Sequence, residues 1–282
     1  SNSGTAVSGG AGNDIITGGT GNDTLNGEEG NDSITVSTGS DIVAGGAGDD
    51  TINIAGGSLS SGDAITGGDG TDTLNFTAIT AITAAAGQRI SGFERLNLDE
   101  DDATVGDTTV NLASFINNSS FDRITIGDTD ESGITVSNVL DGFSDLRFSA
   151  DAESDTEATL TRLVDTSTNA MTVTITGGET VKALTLDNEE TLTITSSNST
   201  AATITTLTSS DLATLNWTGS GNVVITNAIA TATGLTTVDA SGLIGAATVN
   251  GSASSTAITM TSGTGAATFT GSVSIGGTLT YE

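Results

Sequence analysis

The sequence predicts an all-β protein of stacked sheets, ending in a β-solenoid or β-sandwich, and three observations predict it. Threonine is the commonest residue, and 38 glycines stand beside no proline at all. Threonine suits strands and glycine suits turns. Hydrophobic residues make up 35% of the chain but aromatic ones only 3%, so the core must be thin and built from Val, Ile, Leu and Ala. The third observation is a strict period, which decides architecture before anything else.

Aspartates fall at Asp14, Asp23, Asp32, Asp41 and Asp50, and apolar residues at Val7, Ile16, Leu25, Ile34, Val43 and Ile52 keep the same phase. An insertion around Ser58 to Ser61 interrupts the pattern, which resumes with Asp63 and Ile65, then Asp72 and Leu74. The clearest copies run from Gly9 to Thr17, Gly18 to Asn26, Gly45 to Asn53 and Gly67 to Asn75. Each reads as a turn followed by a short strand. The glycines permit positive φ without the penalty of a Cβ and let peptide carbonyls converge. The aspartate closing each turn adds a hard anionic oxygen, and calcium takes six to eight oxygens at roughly 2.3–2.6 Å. Turns that alternate sides place Asp14, Asp32, Asp50 and Asp72 on one edge and Asp23, Asp41 and Asp63 on the other. Solvated turns of a metal-free coil are the plainer alternative. Residues 1 to 75 carry eleven acids and no base, however, and stacking them without counter-ions piles up like charge. Three turns depart from the pattern: Gly27-Glu-Glu-Gly, Val36-Ser-Thr-Gly and the irregular one before Asp63.

From about Phe76 the style changes. The segments Gly92-Phe-Glu-Arg-Leu-Asn-Leu and Gly142-Phe-Ser-Asp-Leu-Arg-Phe resemble each other and suggest equivalent rungs. Short helices are expected at 81–88 and 138–143. Beyond Met171 alternating strands recur about every ten residues, as in 172–176, 184–186, 191–195, 222–226, 246–250 and 266–270. The turns lack Asn-Gly and Asp-Gly pairs, which favours a parallel solenoid over hairpins. The expected organisation is therefore a metal-binding coil over 1–75, an acidic connecting β-rich region over 76–170, and a Thr-rich β-solenoid or β-sandwich over 171–282.

Charge excludes several functions. With 6 Lys+Arg against 35 Asp+Glu the net charge is −29, so nucleic acid is not an expected partner. No His or Cys is present, which removes catalytic triads, cysteine nucleophiles and ordinary zinc sites. Trp217 and Tyr281 stand apart and promise no aromatic cleft, so no catalytic residues and no enzyme activity are expected. No run of about 20 apolar residues supports membrane insertion. No basic segment precedes an apolar run, and Ser1 in place of Met suits a processed fragment. Weaker acidic clusters remain. Asp128, Asp130 and Ser132 resemble the start of an EF-hand loop, but the twelfth position is Val139 instead of Glu. The clusters 99–102 and 151–157 read as solvated acidic faces or secondary cation sites.

The nonapeptides resemble those of RTX proteins, a family exported by Gram-negative bacteria through type I secretion, whose repeats form a calcium-loaded parallel β-roll. The resemblance covers about a quarter of the chain. It implies calcium (Ca2+) as cofactor, ligated by Asp14, Asp23, Asp32, Asp41, Asp50, Asp63 and Asp72, with backbone oxygens near Gly10, Gly12, Gly19, Gly21, Gly46, Gly48, Gly68 and Gly70. The remaining chain is similar, more loosely, to the Thr/Ser/Ala-rich β-domains of RTX-containing bacterial S-layer proteins. That likeness implies an extracellular structural protein at the bacterial cell surface, self-assembling into a calcium-dependent lattice. Its partners would be copies of itself and, through a region outside this sequence, cell-surface polysaccharide. The alternatives are an extender segment of an RTX adhesin or biofilm matrix protein, or the secretion module of a larger exoprotein.

Overall fold

Strands that alternate apolar and polar residues bury one face each, and here they do so by stacking in parallel, coil upon coil. The computed structural model describes residues 4–54, 58–77, 84–98, 108–127, 133–149, 156–176, 179–197, 201–229, 234–250 and 258–270. The chain divides into two units, residues 1–127 and 128–282.

In the first unit the chain alternates between two parallel sheets. One holds Ala6–Ala11, Thr24–Glu29, Ile42–Ala47, Ala64–Asp69 and Ile90–Ser91. The other holds Ile15–Thr17, Ser33–Val36, Thr51–Ile54, Thr73–Phe76, Arg95–Leu98 and Arg123–Ile126. The period sets the register: Val7 pairs with Leu25 and Leu25 with Val43, two nonapeptides apart. Val43 then pairs with Ile65, so the inserted residues are absorbed at the edge and the sheet keeps its phase. Ile16, Ile34, Ile52, Leu74, Leu96 and Ile124 stack as one interior column. All six are buried. This is the expected β-roll, with two or three aliphatic side chains buried per coil.

Beyond Phe76 the coils continue in longer steps. The similarity between 92–98 and 142–148 is structural: Phe93 and Phe143 are both buried at a corner and each leads into a strand, Arg95–Leu98 and Asp145–Phe148. Phe121, before Arg123–Ile126, is a third such corner. A one-turn helix forms at Ala84–Gly87, inside the 81–88 expectation. The 138–143 helix does not form. Asn138 and Val139 end the strand Gly133–Val139, and Asn138 takes φ 57, a left-handed value that turns the chain.

The second unit is a solenoid, and its strands pair in parallel, which settles the choice against a sandwich of hairpins. One sheet contains Asp145–Phe148, Ala170–Ile175, Thr191–Ser196, Thr214–Gly219, Thr237–Leu243 and Thr259–Thr261. The facing one contains Gly133–Val139, Thr156–Arg162, Thr180–Asp187, Ala202–Thr208, Val223–Ala228, Ala247–Asn250 and Ala267–Thr270. Leu146, Val173, Ile194 and Trp217 stack inside, while threonines stack outside in the same registers. Trp217 is therefore core and lines no cleft. Arg162 is buried against Glu189 at 2.5 Å and also donates to the carbonyls of Leu140, Phe143 and Ala170. A buried guanidinium with every partner supplied by neighbouring coils ties those coils together without a metal.

Candidate metal centres along the two edges of the roll

Each nonapeptide turn ends in an aspartate whose carboxylate reaches back to the previous coil on the same edge. On one edge the amide of Asp14 donates to Oδ1 of Asp32, Asp32 to Asp50, and Asp50 to Asp72, each at 2.8 Å. On the other, Thr5 donates to Asp23 at 2.6 Å, and Asp23 to Asp41 and Asp41 to Asp63 at 2.8 Å each. The alternation expected from the period is thus realised residue for residue. Exposed on the first edge runs a second ladder, in which Asn31 donates to Asn13, Asp49 to Asn31 and Thr71 to Asp49.

From Asp23 onward one oxygen of each carboxylate is used in these ladders, and at all but Asp63 the other is not. Oδ2 of Asp14, Asp23, Asp32, Asp41, Asp50 and Asp72 is buried with no hydrogen-bond partner. Buried polar atoms nearly always find partners, and an ionised carboxylate deprived of one is costly. Asp63 differs: its Oδ2 accepts the Ser60 amide at 2.7 Å, supplied by the inserted residues.

The glycines make this arrangement possible. Gly10, Gly12, Gly19, Gly21, Gly46, Gly48, Gly68 and Gly70 all have positive φ. The first glycine of each turn matters for a different reason, which the sequence reading did not single out. A Cβ on Gly9, Gly27, Gly45 or Gly67 would collide with the Oδ2 of Asp14, Asp32, Asp50 or Asp72 and with a carbonyl oxygen of the next coil. Orphaned carboxylate oxygen and peptide carbonyl are thereby crowded together, in an all-oxygen environment that fits a hard cation. Among the described residues no three acidic side chains converge on a point. Two carboxylates plus carbonyls is the donor set expected from the repeat.

Glu28 occupies the place of a second glycine, in register with Gly10 and Gly46, and takes φ 76. A side chain in that region costs roughly 1–2 kcal/mol. Glu28→Gly is expected to stabilise the roll by about 1 kcal/mol, read as a higher melting temperature at fixed calcium, since its bond from Ser8 is exposed.

Burial raises the Asp41, Asp50 and Asp72 carboxyls above the ordinary range, against the lowering effect of the amide each one accepts, and neighbouring carboxylates raise them further. Asp72 is pushed up to about 6. A folded-state value above the unfolded one means that the metal-free roll binds protons better than the unfolded chain. Its stability is present at acid pH and lost as pH rises through about 6. In chelator, strand circular dichroism is expected to grow as pH falls from about 7.5 to 5. With calcium the midpoint moves to higher metal concentration over that range, because protons and metal compete for the same oxygens.

Beside Arg162, three further basic residues are engaged elsewhere. Arg147 pairs with Asp145 at 2.9 Å, Lys182 with Glu157 at 2.6 Å, and Arg89 donates to the Gly62 carbonyl at 3.1 Å. None of these relieves an edge aspartate. Asp128, Asp130 and Ser132, the cluster 99–102, and residues 151–155 lie outside the described residues.

Residues 6–34, 27–58 and 60–77 match the RTX calcium-binding nonapeptide repeat (4 copies). No curated protein and no solved structure matches the chain.

Proposed function

From the premise that residues 6–77 are RTX calcium-binding repeats, we propose that the chain is a calcium-folded structural segment of a bacterial surface layer, with the seven edge aspartates as its ligands. RTX repeats are calcium-binding and typical of secreted proteins. Among the described residues no helix is long and apolar enough to cross a membrane. The observation that carries the calcium role is the row of buried, unpartnered Oδ2 atoms on Asp14, Asp23, Asp32, Asp41, Asp50 and Asp72. Divalent ions between coils supply the missing partners and cancel the stacked charge. Asp63, with its Oδ2 already occupied, contributes less.

Assembly into a lattice is supported by charge. A chain of net charge −29 repels its copies. At physiological salt the Debye length is about 8 Å, so two acidic surfaces meet only with a cation between them. The sequence also carries acids beyond the roll, at 99–102, 128–131 and 151–157, that such bridges can use. Light scattering alongside circular dichroism, as calcium rises at constant ionic strength, tests this. Folding should saturate first and association follow in the millimolar range, where extracellular calcium modules work. A particle that remains monomeric after folding is complete would remove the lattice and leave an adhesin-type extender.

A further inference from the structure

We propose that Asp72 and Glu94 hold a further cation, one coil beyond the last repeat, so that the first edge extends past the nonapeptides. The proposal rests on the calcium reading of the edges and adds a ligand that the repeat pattern does not contain. Residues 92–94 have neither the glycine pair nor the closing aspartate of the motif. They nevertheless reproduce its contacts. The amide of Asp72 donates to Oε2 of Glu94 at 2.8 Å, the same bond at the same distance that Asp50 makes to Asp72. The amide of Arg95 donates to the Asp72 carbonyl at 3.0 Å, as that of Thr73 does to Asp50.

The carbonyl of Gly92 also takes the place of a repeat glycine. A Cβ on Gly67 would collide with that carbonyl oxygen and approach Oδ2 of Asp72, just as one on Gly45 would meet the Gly67 carbonyl and Asp50. Gly92 has φ 71, in the left-handed region that the repeat turns also use. Asp72 has no exposed surface, and its Oδ2 has no hydrogen-bond partner. That oxygen, the Gly92 carbonyl and the Glu94 carboxylate form a donor set of oxygens only, suited to a divalent hard cation. The extra methylene of Glu substitutes for the wider turn that the motif would have supplied. Asn118 fixes the turn: it is buried, accepts from the Phe93 amide at 2.7 Å and donates to the Phe93 carbonyl at 2.9 Å. The edge ends there, because the next residue in line, Asp122, is exposed and the Glu94 amide bonds the Asp72 carbonyl instead of an Asp122 oxygen.

The test is calorimetric titration of calcium into the full chain, comparing wild type, Glu94→Gln and Asp122→Asn. The Gln amide oxygen can still accept the Asp72 amide while removing the ligand charge. Glu94→Gln is expected to bind one calcium fewer, or to bind one at least about tenfold more weakly, because ligand charge sets affinity in such sites. Asp122→Asn removes the same charge one coil on and should titrate as wild type. A Glu94→Gln titration matching wild type overturns the site, as does an equal loss in Asp122→Asn, which would reveal a general charge effect. No calcium uptake by wild type would instead overturn the reading of the repeats, a separate outcome. Circular dichroism at saturating calcium confirms folding. Should Glu94→Gln fall short there, Glu94→Asp is titrated, with one site weakened and the count intact as expected, and wild-type behaviour as the overturning result.

Discussion

Chelating calcium from the full chain is expected to open the roll and leave the second unit folded. In hydrogen exchange, amides from about residue 5 to 77 should lose nearly all protection in excess chelator, while those of the second unit keep it. The expectation follows from how little the roll buries. A coil such as 18–35 contributes Leu25 and Ile34 to the core, against the backbone entropy of every residue it orders, about 1–2 kcal/mol each. Its buried carboxylates then add a penalty where a folded protein normally gains. The second unit has wider cores containing Trp217, Phe143 and Phe148, and the Arg162 network, which needs no metal. Uniform protection with and without chelator would refute the calcium-dependent roll.

The second large effect separates two aspartates that are equivalent in the repeat. Asp32→Asn should raise the calcium midpoint of folding by at least about tenfold and reduce the number of bound ions. Asp32 is central on its edge, bonded to Asp14 before it and to Asp50 after it, with Oδ2 free for metal on a buried face. Asp63→Asn should shift the midpoint less. Asp63 already uses both oxygens, for the Asp41 and Ser60 amides, so its carboxylate acts mainly as an internal cap, and an amide retains one acceptor. Calorimetry and circular dichroism on both variants decide the matter, and equal shifts would contradict the distinction.

How much of this was legible before the structure depends on the step between coils. From Asp14 to Asp50 the step is constant, so edge, register and inward residue all follow from counting. The insertion at Ser58–Ser61 changes the step but adds it at an edge, and counting survives. Beyond Phe76 the pairings Leu74 to Leu96 and Leu96 to Ile124 no longer share a step, and the signal dissolves. Glu94 keeps the step of the coil before it and was invisible for another reason: it does an aspartate's work without the glycines that advertise it. Gly9, Gly27, Gly45 and Gly67 were present in the motif, yet their role lies in an approach between coils that spacing alone does not display. The helix expected at 138–143 failed because Asn138 suits a left-handed turn as well as a helix end, and strand pairing on its N-terminal side decided between them.

The ladders of the turn-closing aspartates point one way, against the exposed ladder of Asn13, Asn31 and Asp49. In each of them the amide belongs to the earlier coil and the acceptor to the later one, from Thr5 and Asp14 toward Asp63 and Glu94. The amide at each turn-closing aspartate except Asp63 is thus satisfied by the coil that follows it in sequence. That series ends at Glu94, where Asn118 holds the Phe93 turn through both its amide and its carbonyl. With nearest-neighbour stacking of this kind, an ion held between two coils orders both of them together, so the roll is expected to gain order in whole coils rather than residue by residue.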